Sequence, residues 1–122
     1  KLIGRILPRT EAELDGRLVH PAALLEDFRA TGALPTDTED VINLTLQVGT
    51  AKVAMIMVEQ QSGGFKISFR SRSPVDCSKL AEQFGGGGHK AAAGAFITGS
   101  LEEARGKLLD AIRGAMRQAG IA

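Results

Sequence analysis

The stretch AKVAMIMVEQ, residues 51–60, is apolar on both of the faces that a strand presents. In an extended chain successive side chains alternate sides, so Val53, Met55 and Met57 share one face and Ala54, Ile56 and Val58 the other. A strand of this kind is stable only in the middle of a sheet that is covered on both sides. Gly63–Gly64 then supply a turn, and FKISFRSR alternates strictly after it. Phe65, Ile67 and Phe69 point one way, and Lys66, Ser68, Arg70 and Arg72 the other. The two runs predict an antiparallel hairpin at the centre of the fold.

The remaining segments supply partners for that hairpin. KLIGRIL reads as a short strand, and DGRLV as a turn followed by a second strand. PAALLEDFRATG reads as a helix with Pro21 in its first turn, Gly32 past its end and Leu24, Leu25 and Phe28 on one face. ALPTD is a loop, and TDTEDVINLTLQVG a helix capped by Thr36 or Asp37 and closed by Gly49. VDCSKLAEQFG predicts a short helix with Asp76 as N-cap and Gly85 as breaker. Its inner stripe is Cys77, Leu80, Ala81 and Phe84, so Cys77 reads as a small core residue rather than a nucleophile. AGAFI is another strand. The final helix opens with a Ser100–Glu103 capping box and buries Leu101, Ala104, Leu108, Ile112 and Met116. The fold class is α+β: a mixed β-sheet with a central hairpin, helices packed on it and a C-terminal amphipathic helix.

At 122 residues and 43% hydrophobic, the chain suits one domain, 1–122, with its own core. Cys77 is the single cysteine, which rules out an internal disulfide and points to a reducing cytoplasm. The longest strongly apolar run, 53–58, is too short to cross a bilayer as a helix, and no membrane partner is expected. The opening Lys1, in place of a methionine, suggests a segment of a longer protein. The net charge is only +1, but it is unevenly spread. Residues 1–61 hold six Lys/Arg against nine Asp/Glu, whereas residues 62–99 hold five against two.

The basic part contains FGGGGHKAAAG, residues 84–94. Four consecutive glycines are entropically expensive to order, so a folded domain that orders them needs bare backbone there. A flexible linker is a poor reading, because the run joins a helix to a strand and carries no serine. A Walker loop would need glycine where His89 stands, and a dinucleotide fingerprint from Gly85 would need it at Lys90. What fits is a backbone anion cradle, where phosphate oxygens approach several N–H groups closely. His89 adds a ring donor, Lys90 a point charge, and Arg70 on the neighbouring strand a planar fork for phosphate. With only His20 and His89 present, no histidine–carboxylate cluster has metal-ligand spacing. His20, followed by Pro21, reads as an ordinary surface or helix-entry histidine. No catalytic residue and no metal ligand is assigned.

FRSRSPVDCSKLAEQFGGGGHKAAAGAFI closely resembles the C-terminal, DHH-associated domain (subfamily one) of the DHH phosphoesterase family. The matching features are Arg70–Ser71, Val75–Asp76, Gly86 to His89 and Ala91 to Gly94, with Thr38–Glu39 upstream resembling the family's helix start. Residues 1–35 resemble nothing diagnostic. The resemblance implies the substrate-binding half of a two-domain phosphoesterase, similar to nanoRNases, 3′-phosphoadenosine-5′-phosphate phosphatases and cyclic-dinucleotide phosphodiesterases. Catalysis would lie on an N-terminal Asp-His-His domain with manganese ions, which these residues lack, so no cofactor is expected in this segment. Gly86, Gly87, Gly88 and His89 would contact substrate phosphates, with Arg70 and Lys90 reaching the same group.

The implied partners are that catalytic domain and short RNA or DNA, a (cyclic) dinucleotide or a nucleotide phosphate. Oligomeric state is left open, a homodimer included. The alternatives are a stand-alone nucleic-acid-binding module, like the related domain of alanyl-tRNA synthetases, and an assembly domain whose glycine loop packs against protein. Base stacking, in a chain without Trp or Tyr, would fall to Phe84, Phe96 or Arg72.

Overall fold

The computed structural model of the chain describes residues 1–47 and 49–122. Strands β4 (Val53–Glu59) and β5 (Phe65–Ser71) form the expected hairpin, paired antiparallel from Val53↔Ser71 to Glu59↔Phe65. Gly63 and Gly64, at φ +96° and +73°, make its turn. On one side β4 pairs in parallel with β2 (Leu18–His20) and β3 (Ala22–Ala23), and β2 pairs antiparallel with β1 (Glu11–Glu13). On the other side β5 pairs antiparallel with β7 (Ala92–Ile97), which in turn pairs with β6 (Gly87–Gly88). Seven strands among the described residues thus form one mixed sheet, in the order β1-β2-β4-β5-β7-β6 with β3 beside β4.

Both faces of β4 are buried, as its sequence demands. One face, with Val53, Met55, Met57, Ile67 and Phe69, is covered by α4 (Cys77–Glu82) and α5 (Leu101–Gln118). Asp76 caps α4 by accepting the Ser78 N–H, and Cys77, Leu80 and Ala81 are buried. In α5, Ser100 Oγ accepts the Glu103 N–H at 3.1 Å, and Ala104, Leu108, Ile112 and Met116 are buried. The other face, with Ala54, Ile56 and Val58, is covered by α1 (Leu2–Ile6) and α3 (Thr38–Leu46). No helix among the described residues is long and apolar enough to cross a membrane.

Four expectations are corrected. KLIGRIL is a helix rather than a strand: Leu2, Ile3, Ile6 and Leu7 recur at the i, i+1, i+4, i+5 spacing of one helical face, and Leu2 and Ile6 are buried over the sheet. The helix assigned to PAALLEDFRATG is shorter, α2 at Leu25–Thr31, because Ala22–Ala23 pair with Met57–Val58 of β4 and the Pro21 carbonyl accepts the Met57 N–H. Gly32 does close it, at φ +69°. His20 is not at the surface. It is buried in β2, and its Nε2 donates to Glu13 Oε2 at 2.9 Å; Arg113 of α5 grips the same carboxylate at 2.7 and 2.9 Å. The α3 helix ends at Leu46, short of Gly49, with Asp37 as its N-cap; Val48 lies outside the described residues.

The start of α2 depends on Asp27, which is fully buried. Its carboxylate accepts the Leu24 N–H at 2.8 Å, Arg5 Nε at 2.7 Å and Arg9 Nη2 at 2.7 Å, tying α2 to the N-terminal segment. Burial works to raise its pKa, but the Leu24 N–H and the two guanidinium groups outweigh it and hold the carboxyl below its usual range. Asp27→Ala is expected to cost about 2–3 kcal/mol at neutral pH, because a cap and two charge-assisted bonds are lost together. A carboxyl depressed in the folded state contributes fully above its unfolded value, about pH 4. The stability gap between wild type and variant then closes as pH falls through the lower folded value, a trend that thermal unfolding measured from pH 7 to pH 2 would follow.

Candidate anion-binding site

Cross-strand partners project to the same face of a sheet, so the register alone says which residues meet. On β5, the polar side expected of Lys66, Ser68 and Arg70 lies opposite Phe96, Gly94 and Ala92 of β7. One strand further out, Gly87 is paired with Gly94 and Gly88 with Ala93. Reciprocal bonds, His89 N–H to the Ala92 carbonyl at 2.8 Å and Ala92 N–H to the His89 carbonyl at 3.3 Å, extend this pairing by one residue. Two rows therefore cross the face: His89, Ala92 and Arg70, and beside it Gly87, Gly94 and Ser68. His89 and Arg70 stand two strand spacings apart, about 10 Å between backbones, with only an alanine between them.

The four glycines have different reasons for being glycine. Gly85 turns the chain out of α4 at φ +78°. At Gly86 a Cβ would overlap the Gly94 carbonyl and come within 2.8 Å of Ala95 Cα. At Gly88, φ +151°, it would lie 2.6 Å from Ala93 Cα. These two positions let one backbone pack directly on another. Gly87 differs: a Cβ there would meet nothing within 4 Å. The alternation of an antiparallel ladder then turns the Gly88 N–H away from β7, off the last strand of the sheet.

Arg70 is held in place. Its Nη2 donates to Glu39 Oε2 at 2.9 Å and its Nη1 to the Phe69 carbonyl at 2.9 Å, so that two of its five donors are used among the described residues. Sequence reading placed Glu39 only in the first turn of α3; nothing local signals that it reaches a residue 31 positions away. Lys90 sits in the turn between β6 and β7, where its carbonyl accepts the Cys77 N–H at 2.8 Å and its side chain is exposed. Among the described residues no carboxylate pairs with His89 or Lys90. Burial pushes the Cys77 thiol up to about 11, so it stays protonated and unreactive at neutral pH. Arg70, Gly87 and His89 thus meet on one face, Gly86 and Gly88 lock the loop under them, and Lys90 stands at its rim.

Residues 31–118 match the model of the DHHA1 domain, which is most of the chain. The chain belongs to the DHHA1 domain family. Over 121 residues, 98% of its length, the domain is 34% identical to the bifunctional oligoribonuclease and PAP phosphatase NrnA of Thermus thermophilus, of which it spans 36%. Over 78% of its length it is 30% identical to a probable NrnA of Streptococcus mutans, of which it spans 30%. The chain thus spans about a third of the length of these curated relatives. Its fold is shared with an exopolyphosphatase-related protein from Bacteroides fragilis, at TM-score 0.79 and 24% identity, covering 96% of this chain and 33% of that one. It is also shared with the pGpG-specific phosphodiesterase PggH from Vibrio cholerae, at TM-score 0.63 and 15% identity, covering 97% and 37%. The N-terminal residues that resemble nothing diagnostic by motif fall within the matched span of the Thermus relative.

The two kinds of glycine are separable by experiment. Gly86→Ala and Gly88→Ala are each expected to destabilise the DHHA1 domain by about 2 kcal/mol or more, because the methyl group meets backbone that cannot step aside. Gly87→Ala should cost under about 1 kcal/mol in a denaturant titration, since its methyl group enters open space.

Proposed function

We propose that the DHHA1 domain holds the phosphate groups of short oligonucleotide or nucleotide substrates, as the substrate-binding part of a DHH-family phosphoesterase. The observation that carries this reading is the row His89–Ala92–Arg70 beside the open Gly87 position. Two cationic or N–H-bearing side chains flank a floor of small residues, and exposed Gly87 on the same face offers unobstructed approach to backbone. A phosphate there would take the Arg70 fork on one side and the His89 ring N–H on the other, with the outward Gly88 N–H and Lys90 at the rim. Glu39 orients the guanidinium without occupying it. The name of the Thermus relative, an oligoribonuclease and PAP phosphatase, supports nucleotide phosphates as the substrate class.

Holding is proposed as the whole of the task for these residues. Among the described residues no three His, Cys, Asp or Glu side chains gather where they could bind a metal ion. Asp76 caps α4 by accepting the Ser78 N–H, the Asp37 carboxylate accepts the Leu34 N–H at 2.8 Å, and Asp40 lies in the first turn of α3. The residues present therefore do not fit manganese, and bond cleavage is assigned to an Asp-His-His domain elsewhere in the natural protein. We place that protein in the cytoplasm, in keeping with its lone cysteine, Cys77, and the absence of any possible internal disulfide in these residues.

Arg70→Ala and His89→Ala should each weaken binding of a 5′-phosphorylated dinucleotide by about 1.5–3 kcal/mol in calorimetry, the worth of one charge-assisted contact. Thermal unfolding of the same variants separates the two effects: His89 is exposed and its variant should keep full stability, whereas the Arg70 side chain is only 17% exposed and loses its ion pair with Glu39, so a modest loss of stability is expected for Arg70→Ala alone. Unchanged affinity in both variants would remove these residues from the clamp. The 122-residue chain alone is expected to hydrolyse no dinucleotide with manganese added, whereas the full natural protein should do so. Turnover by the chain alone would overturn the holding role; an inactive full protein that still binds RNA would favour a stand-alone nucleic-acid module.

A further inference from the structure

We propose that Phe96 is the nucleobase platform of this site, so that a nucleotide chain anchored by phosphate between Arg70 and His89 lays a base on the Phe96 ring. The inference rests on the phosphate-holding reading above and extends it from an anion to a base-bearing ligand.

Of the three residues that composition left as stacking partners, the structure disposes of two. Phe84 is packed against the core beneath α4 and α5. Arg72 lies beyond the end of β5, tied to the opposite edge by its Nε donating to the Ala51 carbonyl at 2.7 Å and its Nη2 to the Gly49 carbonyl at 3.3 Å, and so away from β7. Phe96 remains. It is 50% exposed, one of two large apolar side chains so exposed among the described residues, and it belongs to neither hydrophobic core. A single exposed aromatic ring is ordinary on a protein surface; what singles out Phe96 is its place near the end of β7, on the sheet face that carries the phosphate row.

The ring is also placed. Its edge rests on bare backbone at the hairpin turn, where a Cβ on Gly64 would lie 2.6 Å from Phe96 Cζ and 3.2 Å from Cε2. A ring propped in this way loses little freedom when a ligand stacks on it. Its register puts it on the same face as the phosphate row: Phe96 pairs with Lys66, as Ala92 pairs with Arg70. The separation is four residues along β7, about 13 Å. That is beyond the reach of a bare phosphate and within the span of a dinucleotide. Lys66 is exposed and, among the described residues, pairs with no carboxylate, so it supplies a mobile charge for the phosphate next to the stacked base. Stacking on phenylalanine accepts any base, so the platform favours short oligonucleotides over phosphate-only esters without reading their sequence.

The test uses the full natural protein, without divalent metal, and two probes: a 5′-phosphorylated adenylyl dinucleotide and an abasic analogue with the same phosphates. Phe96→Ala should weaken dinucleotide binding about tenfold, the lower part of the range for one lost stack, and leave the abasic probe unchanged. Phe96→Trp should restore affinity, while Phe96→Leu, apolar but without a π-face, should remain as weak as the alanine variant. Arg70→Ala should weaken both probes. If Arg70→Ala weakens both and Phe96→Ala affects neither, or affects both equally, the platform is overturned while the phosphate site stands. If Arg70→Ala affects neither probe, the phosphate reading itself fails.

Discussion

The pairing of β4 with β5 is the constraint on which every other placement depends. A strand that is apolar on both faces leaves no freedom to choose which side meets the core, but its partner does have that choice. Phe65, Ile67 and Phe69 must enter the core under α4 and α5, and a slip of one residue would expose all three and bury Lys66 and Arg70 in their place. The penalty of such a slip is several buried aromatic and aliphatic side chains, far more than any surface contact could return. With β5 fixed, β7 is fixed against it, and β6 against β7. The position of His89 relative to Arg70 is therefore decided by hydrophobic burial on the opposite side of the sheet, by residues that touch no ligand.

The parts legible in the sequence were those where one local period dominates. The two central strands, the capped α4 and the long α5 each repeat their pattern over enough residues to exclude the alternative. KLIGRIL did not, because seven residues hold barely two turns of helix, and its apolar residues can be sorted into either period when read alone. PAALLEDFRATG failed for a different reason: the pairing of Ala22 and Ala23 with β4 is a tertiary contact that overrides a proline placed where helices favour it. His20 was misplaced because its partners, Glu13 on the next strand and through it Arg113 a hundred residues away, are invisible to local reading.

For the proposed site, the sequence offers residue types and hides their division of labour. Glycine, histidine, lysine and arginine in a basic stretch announce an anion, whatever the fold. Which glycine faces outward, which packs on backbone, and that Glu39 steadies Arg70 all depend on pairings between segments far apart in sequence. The family resemblance named the right domain from the same residues, and the match over residues 31–118 agrees with it. It carries no information on how each glycine earns its place.

That division has an effect on how such a domain can diversify. Gly86 and Gly88 are committed to packing against β7, and Gly87 between them is the position with space above it. Substitution at the outer two threatens the fold, and substitution at the middle one fills the space a ligand would use. The loop is therefore a poor place to tune preference for one substrate over another. If the loop holds phosphate as proposed, selectivity has to be written on residues whose side chains are free of both duties, those further along β5 and β7 and on whatever surface faces them, with the glycine loop a generic socket that many different ligands could share.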